Sequence, residues 1–141
     1  MPSRIDVNVE GFRRLNHALK QVDPALQKEL ATDLKAIAER LAARVRAKMP
    51  RRSGRAAGSV RGGATMRTAY VEHGKSSVPY VGWLDFGGTL RPAGGRHNTI
   101  HRPVVDGGRY LYPTVAEHRD DTLRAAEQAF DKAARRADLK G

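Results

Sequence analysis

The chain has 141 residues, 40% hydrophobic and 6% aromatic, with a formal charge of +11 at pH 7 and no cysteine. That length supports one domain with a modest core, and a mean hydropathy of -0.59 leaves much of the chain facing water or partners. The missing cysteines exclude disulfides, thiolate metal sites and thiol nucleophiles, and no apolar run is long enough to span a bilayer.

The opening MPSRIDVNVE carries no apolar signal core, so the protein is expected to act where it is made or in a particle assembled there. In RIDVNVEG, Ile5, Val7 and Val9 alternate with polar residues, which predicts a strand over 3–10 with one wet face. Gly11 ends it. Phe12, Leu15, Leu19 and Val22 then predict a short helix over about 11–21. Asp23-Pro24 supplies a cap oxygen and a first-turn proline. From there Leu26, Leu30, Leu34, Ile37, Leu41 and Val45 recur at spacings of 3 or 4, one amphipathic helix over 24–48. Pro50 stops it.

Charge is uneven along this order: residues 1–68 hold 15 Lys/Arg against 6 Asp/Glu, and residues 69–141 hold 11 against 9. The densest stretch is RAKMPRRSGRAAGSVRGG, residues 46–63, in which Arg46, Lys48, Arg51, Arg52, Arg55 and Arg61 stand without one acid. A local excess of this kind is the footprint expected beside a polyanion or an acidic protein surface. These six are therefore candidate DNA-channel or interface residues. The glycines make 49–63 costly to order, so a mobile basic loop is expected there.

Two strand-like runs follow, over about 64–73 and 78–86, with HGKSS between them as a hairpin turn. In the second, Val78, Tyr80, Leu84 and Phe86 fall on one face and Val81 and Trp83 on the other, which predicts a strand covered by the helix on one side and a neighbouring subunit on the other. Residues 87–109 form a long loop punctuated by glycine and proline, with a short strand expected near TIHRPVV. A last helix is expected over about 114–137, opened by a Thr114/Glu117 capping box. Its thin stripe (Val115, Leu123, Ala126, Phe130, Ala133, Ala137) needs another element or another chain to hold it. Tyr80, Trp83, Leu84, Phe86, Leu111 and Tyr112 are the candidate subunit-packing residues. The fold class that results is α+β in a single domain: a long N-terminal amphipathic helix on a small, mostly antiparallel sheet, a long loop and a C-terminal helix.

Catalytic and ligand motifs are incomplete. Gly74-Lys75-Ser76 ends like a phosphate-binding loop, but Ala69 stands where its first glycine belongs. His97 and His101 form an H-x-x-x-H pair among helix-breaking residues, with Asn98 where a metalloprotease has glutamate. Glu72 and Asp85, with His73 nearby, could face each other as a carboxylate pair, yet nothing suggests a pocket that would tune them. Strand-edge carboxylates balancing local arginines are the simpler reading. No enzyme, cofactor or metal is expected.

The order of features resembles the neck or tail-component proteins of long-tailed bacteriophages, variously called head-tail joining, tail-completion or minor tail proteins. Their pattern is a long helix running into P-x-R-[ST]-G-x-L-x-x-S-[IV], then Y-[AV]-x-x-[VL]-E-F-G-T, then P-F-L-x-P-A. Here MPRRSGRAAGSV supplies Pro50, Arg52, Ser53, Gly54, Ser59 and Val60; YVGWLDFGGT supplies Tyr80, Leu84, Phe86, Gly87 and Thr89; RYLYPTV supplies Leu111 and Pro113. Ala56 departs from the usual leucine and Asp85 from the usual glutamate; Gly88 is added, and Arg109-Tyr110 and Thr114 replace Pro-Phe and Ala.

The resemblance implies a structural virion protein: a ring of identical subunits, expected as a hexamer, joining the DNA-filled head to the tail. It would be assembled in the host cytoplasm with adjoining neck proteins such as a stopper or adaptor, the tail terminator and the tail tube. The phosphate backbone of genomic DNA is the further partner expected, and no membrane is. Two alternatives stand beside it, a tail terminator or other minor tail protein, and a free nucleic-acid-binding protein blind to sequence. The latter lacks a helix-turn-helix, a zinc pattern or aromatic platforms.

Overall fold

The structure is a computed structural model that describes residues 3–7, 11–65, 68–91 and 99–140, with the backbone alone at Val7, Leu139 and Lys140. The chain is α+β. Strand β1 (Ser3–Val7) leads to helices α1 (Phe12–Val22) and α2 (Pro24–Lys48). The short helix α3 (Arg55–Gly58) is followed by β2 (Arg61–Ala64) and β3 (Ala69–His73). These three strands form one antiparallel sheet in the order β1-β3-β2, with Val71 of β3 between Ile5 and Gly62.

Helix α2 organises the body. Asp23 accepts from the Ala25 N–H at 3.0 Å with Pro24 opening the helix, and the expected stripe is buried from Leu26 to Val45. Ala38 and Ala42 lie in the same buried face, where β2 presses close. A Cβ on Gly62 would stand 2.6 Å from the Glu39 nitrogen, so only glycine lets strand and helix backbones meet there. Helix α2 also closes the edge of β2: Arg46 Nε donates to the Val60 carbonyl at 3.0 Å, and Glu39 accepts from the Gly62 N–H at 3.0 Å. An otherwise open sheet edge is thereby satisfied.

The second half differs more from expectation. Residues 78–86 are not a strand. Val78, Val81 and Asp85 are the buried positions, at spacings of 3 and 4, and residues Val81–Phe86 form helix α4. Gly87 ends it in the left-handed region (φ 86), its N–H donating to the Trp83 carbonyl at 2.8 Å. The HGKSS turn is real, closed by a Lys75–Val78 bridge, but it leads into α4 and not into a second strand.

The basic segment is likewise no simple loop, since it holds α3 and most of β2. Residues 87–109 contain a two-stranded hairpin of β4 (Gly88–Leu90) and β5 (Ile100–Arg102), the latter where a short strand was expected. The last helix is two: α5 (Leu111–Glu117) and α6 (Arg119–Lys140). Thr114 is buried inside α5 and caps nothing, so the capping box is overturned. The thin stripe of α6 finds its cover within the chain, against α1 and α2, with Phe130 stacked on Phe12 at 5.8 Å. The end of the first expected strand (Asn8, Val9, Glu10) and His97 with Asn98 lie outside the described residues.

Candidate functional site

The six basic candidates divide into two groups. Arg46, Arg55 and Arg61 are engaged by the fold. Arg46 joins the Val60 carbonyl to Glu39, and Arg55 Nη2 donates to the Ser77 carbonyl at 2.7 Å. Arg61 pairs with Glu72 at 2.9 Å and donates to the Ser59 and Gly74 carbonyls at 2.9 and 3.1 Å. Lys48, Arg51 and Arg52 are exposed and make no ion pair among the described residues. Burial raises the Glu39 carboxyl pKa, but the Arg46 hydrogen bond, the Gly62 N–H and the charges of Arg46 and Lys35 outweigh it, so the group lies below its ordinary value.

The motif around these arginines turns out to be architectural. Ser59 is fully buried; its Oγ donates to the Ala56 carbonyl at 2.6 Å and accepts from the Gly74 N–H at 3.0 Å, fastening α3 to the turn after β3. Val60, Ala56, Ala57 and Met49 are core.

Glu72 and Asp85 do not pair with each other. Glu72 sits between Arg4 and Arg61 on the flanking strands, at 3.3 and 2.9 Å. Asp85, fully buried, lies 2.6 Å from His73 Nε2. Its carboxylate also accepts from the backbone N–H groups of Arg109, Tyr110 and Leu111 at 2.6, 2.8 and 3.2 Å. One side chain of α4 thus caps α5 and holds β3. Desolvation raises the Asp85 pKa, and the hydrogen bonds from His73, Tyr110, Arg109 and Leu111 overcome it, leaving the carboxyl below its ordinary value. An aspartate beside a histidine is part of nucleophile-activating triads, but here both groups are sealed from solvent and the oxygens are occupied by α5 amides. His73 Nδ1 is buried without a partner. Sequence reasoning placed Asp85 at a strand edge; the helical spacing of Val78, Val81 and Asp85 was the signal that could have buried it.

The candidate packing residues also divide. Leu111 is fully buried beneath Asp85 and the core, so it leaves the set. Tyr80 and Leu84 are half-buried against the core. Trp83 donates its Nε1–H to the Gly88 carbonyl at 3.1 Å, and Arg102 stacks 5.7 Å from its ring while donating to the Leu84 carbonyl at 2.9 Å and the Tyr110 hydroxyl at 3.0 Å. Phe86 meets His73 and Tyr112 edge-on or tilted, at 6.1 and 5.9 Å. Large apolar exposure falls at Ile100, Val104, Val105 and Tyr112, exposed by 44, 75, 38 and 42%, and at Val22 beside a groove between α1 and α6. Sequence reasoning expected a short strand near TIHRPVV but did not single out Ile100, Val104 and Val105 as exposed surface.

Among the described residues no group of His, Asp or Glu could hold a metal ion, and no helix is long and apolar enough to cross a membrane. His101 hydrogen-bonds Thr89 across the hairpin at 3.0 Å. No family model, curated protein or solved structure matches the chain.

Proposed function

We propose that the chain is a structural protein of the bacteriophage neck, a subunit of a ring that joins head to tail and catalyses nothing. The observation that carries the reading is the apolar exposure of Ile100, Val104, Val105 and Tyr112 on and after the β4–β5 hairpin. Four such residues so close along one chain support a reading in which another protein covers this surface. The three ordered motifs support it, and the Asp85 fastening brings the second and third together, since Asp85 of YVGWLDFGGT caps the helix that RYLYPTV opens. A head-to-tail contact between copies that closes gives a ring. The virion neck is the location this implies.

Native mass spectrometry and negative-stain imaging of the purified chain, alone and with the products of adjacent genes, test it. A closed ring is expected, with Ile100→Asp/Val104→Asp reverting it to folded monomer. A chain that stays monomeric in every mixture overturns the reading.

A further inference from the structure

We infer that the exposed flank of the C-terminal half of α2, continued by the residues after it, binds the phosphate backbone of double-stranded nucleic acid through Arg40, Arg44, Lys48, Arg51 and Arg52. The seam between α2 and α6 sets the charge of this flank. The two helices run antiparallel, and Glu29 and Asp33 of α2 pair with Arg136 and Lys132 of α6 at 2.5 and 3.3 Å. Farther along α2 the charge reverses. Arg40 and Arg44 border a groove of about 90 Å³ with Ile37, Leu41, His118, Asp121 and Thr122, and neither arginine makes an ion pair among the described residues. Asp121 is the carboxylate facing them, and its own ion pair, at 3.6 Å, is with Arg124.

Helix α2 cannot neutralise this flank itself. Its three acids are Glu29, Asp33 and Glu39, and the last is held by Arg46 and the Gly62 N–H. Lys48 in the last turn also suits the negative end of the helix dipole. That effect fades within a turn, so it leaves Arg40, Arg51 and Arg52 unexplained. Residues 40, 44 and 48 recur every fourth position, about 6 Å apart along the axis, and span about 12 Å, the axial length of 3 to 4 phosphates of one duplex strand.

The character of the flank selects nucleic acid over an acidic protein. Protein docks have a desolvated apolar centre anchored by aromatic or other large side chains. The exposed large apolar residues lie on α1, on and after the hairpin, and on α5, and none lies on α2 or residues 49–58, where Met49, Ala56 and Ala57 are buried. Long, exposed cations without such a centre fit phosphates, and contacts of that kind are blind to base sequence. The inference draws on the neck reading only for the source of the duplex.

The test is fluorescence anisotropy of the purified chain with a labelled mixed-sequence duplex of about 30 base pairs, between 50 and 200 mM KCl. Five phosphate contacts give a log–log salt slope of about -4.5, a roughly 500-fold loss of affinity across that range. Arg40→Ser/Arg44→Ser or Arg51→Ser/Arg52→Ser should lower the slope magnitude by about 1.8 and the affinity at least about tenfold. The charge-matched control Arg13→Ser/Arg14→Ser, on exposed positions of α1, should change neither, and thermal melts report that each variant is folded. Equal losses in the control, an unchanged slope in the flank variants, or no duplex binding overturn the inference. So does binding of polyglutamate in place of the duplex, which would make the flank a protein dock. Duplex binding is read on the single chain, so a missing ring leaves this result standing and a failed titration leaves the ring standing.

Discussion

The body of α2 on the three-stranded sheet and the region of α4, the β4–β5 hairpin and α5 are held by different physics. In the first region α2 lies on the β1-β3-β2 sheet through a continuous apolar face, and the backbones come close enough that Gly62 has no room for a methyl group. In the second, α4, the β4–β5 hairpin and α5 are short; the carboxylate of Asp85 with its four hydrogen bonds ties α4 to β3 and the start of α5, and Trp83 and Arg102 hold the hairpin on α4. Burial spread over many side chains degrades gradually under mutation. A single buried polar node does not, because each partner it leaves behind is itself stranded away from water.

The contrast breaks most visibly at the node. Asp85→Ala leaves His73 Nε2 and the Tyr110 and Leu111 amides unpaired, while the Arg109 N–H keeps the Asp85 main-chain carbonyl at 3.1 Å, and should cost about 3–5 kcal/mol in urea unfolding. Hydrogen exchange should locate the damage in α4 and α5 while β2 and β3 keep their protection. A loss under about 1 kcal/mol would mean that water replaces the carboxylate easily and the node is no fastening. The same node has an acid limb. Its folded pKa is depressed, so its contribution is complete above the unfolded value of about 3.9 and disappears as pH falls through the folded value.

The body is sharpened by a smaller change. Gly62→Ala forces a methyl group into the Ala38–Glu39 backbone and should cost about 1–3 kcal/mol by overpacking. Gly58→Ala, where a Cβ meets nothing within 4 Å, should be neutral or stabilising by up to about 1 kcal/mol. Equal effects at the two glycines would show that strand and helix can move apart freely.

These two regions also mark where the sequence could be read. The stripe from Leu26 to Val45 repeats a helical period over many residues, so α2, its proline start and its proline stop were all visible. The first strand followed from the alternation of Ile5, Val7 and Val9, and β3 lies within the strand-like run over about 64–73. In residues 78–86 the alternation of Val78, Tyr80, Leu84 and Phe86 outweighed the helical spacing of Val78, Val81 and Asp85, which a polar residue at 85 made easy to overlook. The cap on α5 was invisible locally because its acceptor, Asp85, lies 25 residues from the Tyr110 amide it binds. Arg46, Arg55 and Arg61 looked like free charge for the same reason: their partners (Glu39, the Ser77 carbonyl, Glu72) come from other elements. Exposed Arg51 and Arg52 could be read from composition, whereas the flank through Arg40 and Arg44 required knowing which face of α2 the α6 seam leaves cationic.

Glu39 gives the smallest and most specific comparison between the two kinds of tie. Like Asp85 it is a carboxylate with a depressed pKa and a backbone N–H partner, but its side chain is 46% exposed and Arg46 shares the load. Water screens such a pair, so Glu39→Gln, which keeps an acceptor for the Gly62 N–H, should cost less than about 1 kcal/mol at pH 7. Because its folded pKa is lowered, the advantage of wild type over Glu39→Gln is whole above the unfolded value of about 4.3 and is lost as pH falls through the lower folded value. Urea midpoints of the two proteins measured at pH 7, 5 and 3 should therefore converge at the acid end. A gap that persists at pH 3 would assign the effect to shape and hydrogen bonding at the β2 edge instead of charge, and would make this surface carboxylate a neutral relative of the buried one.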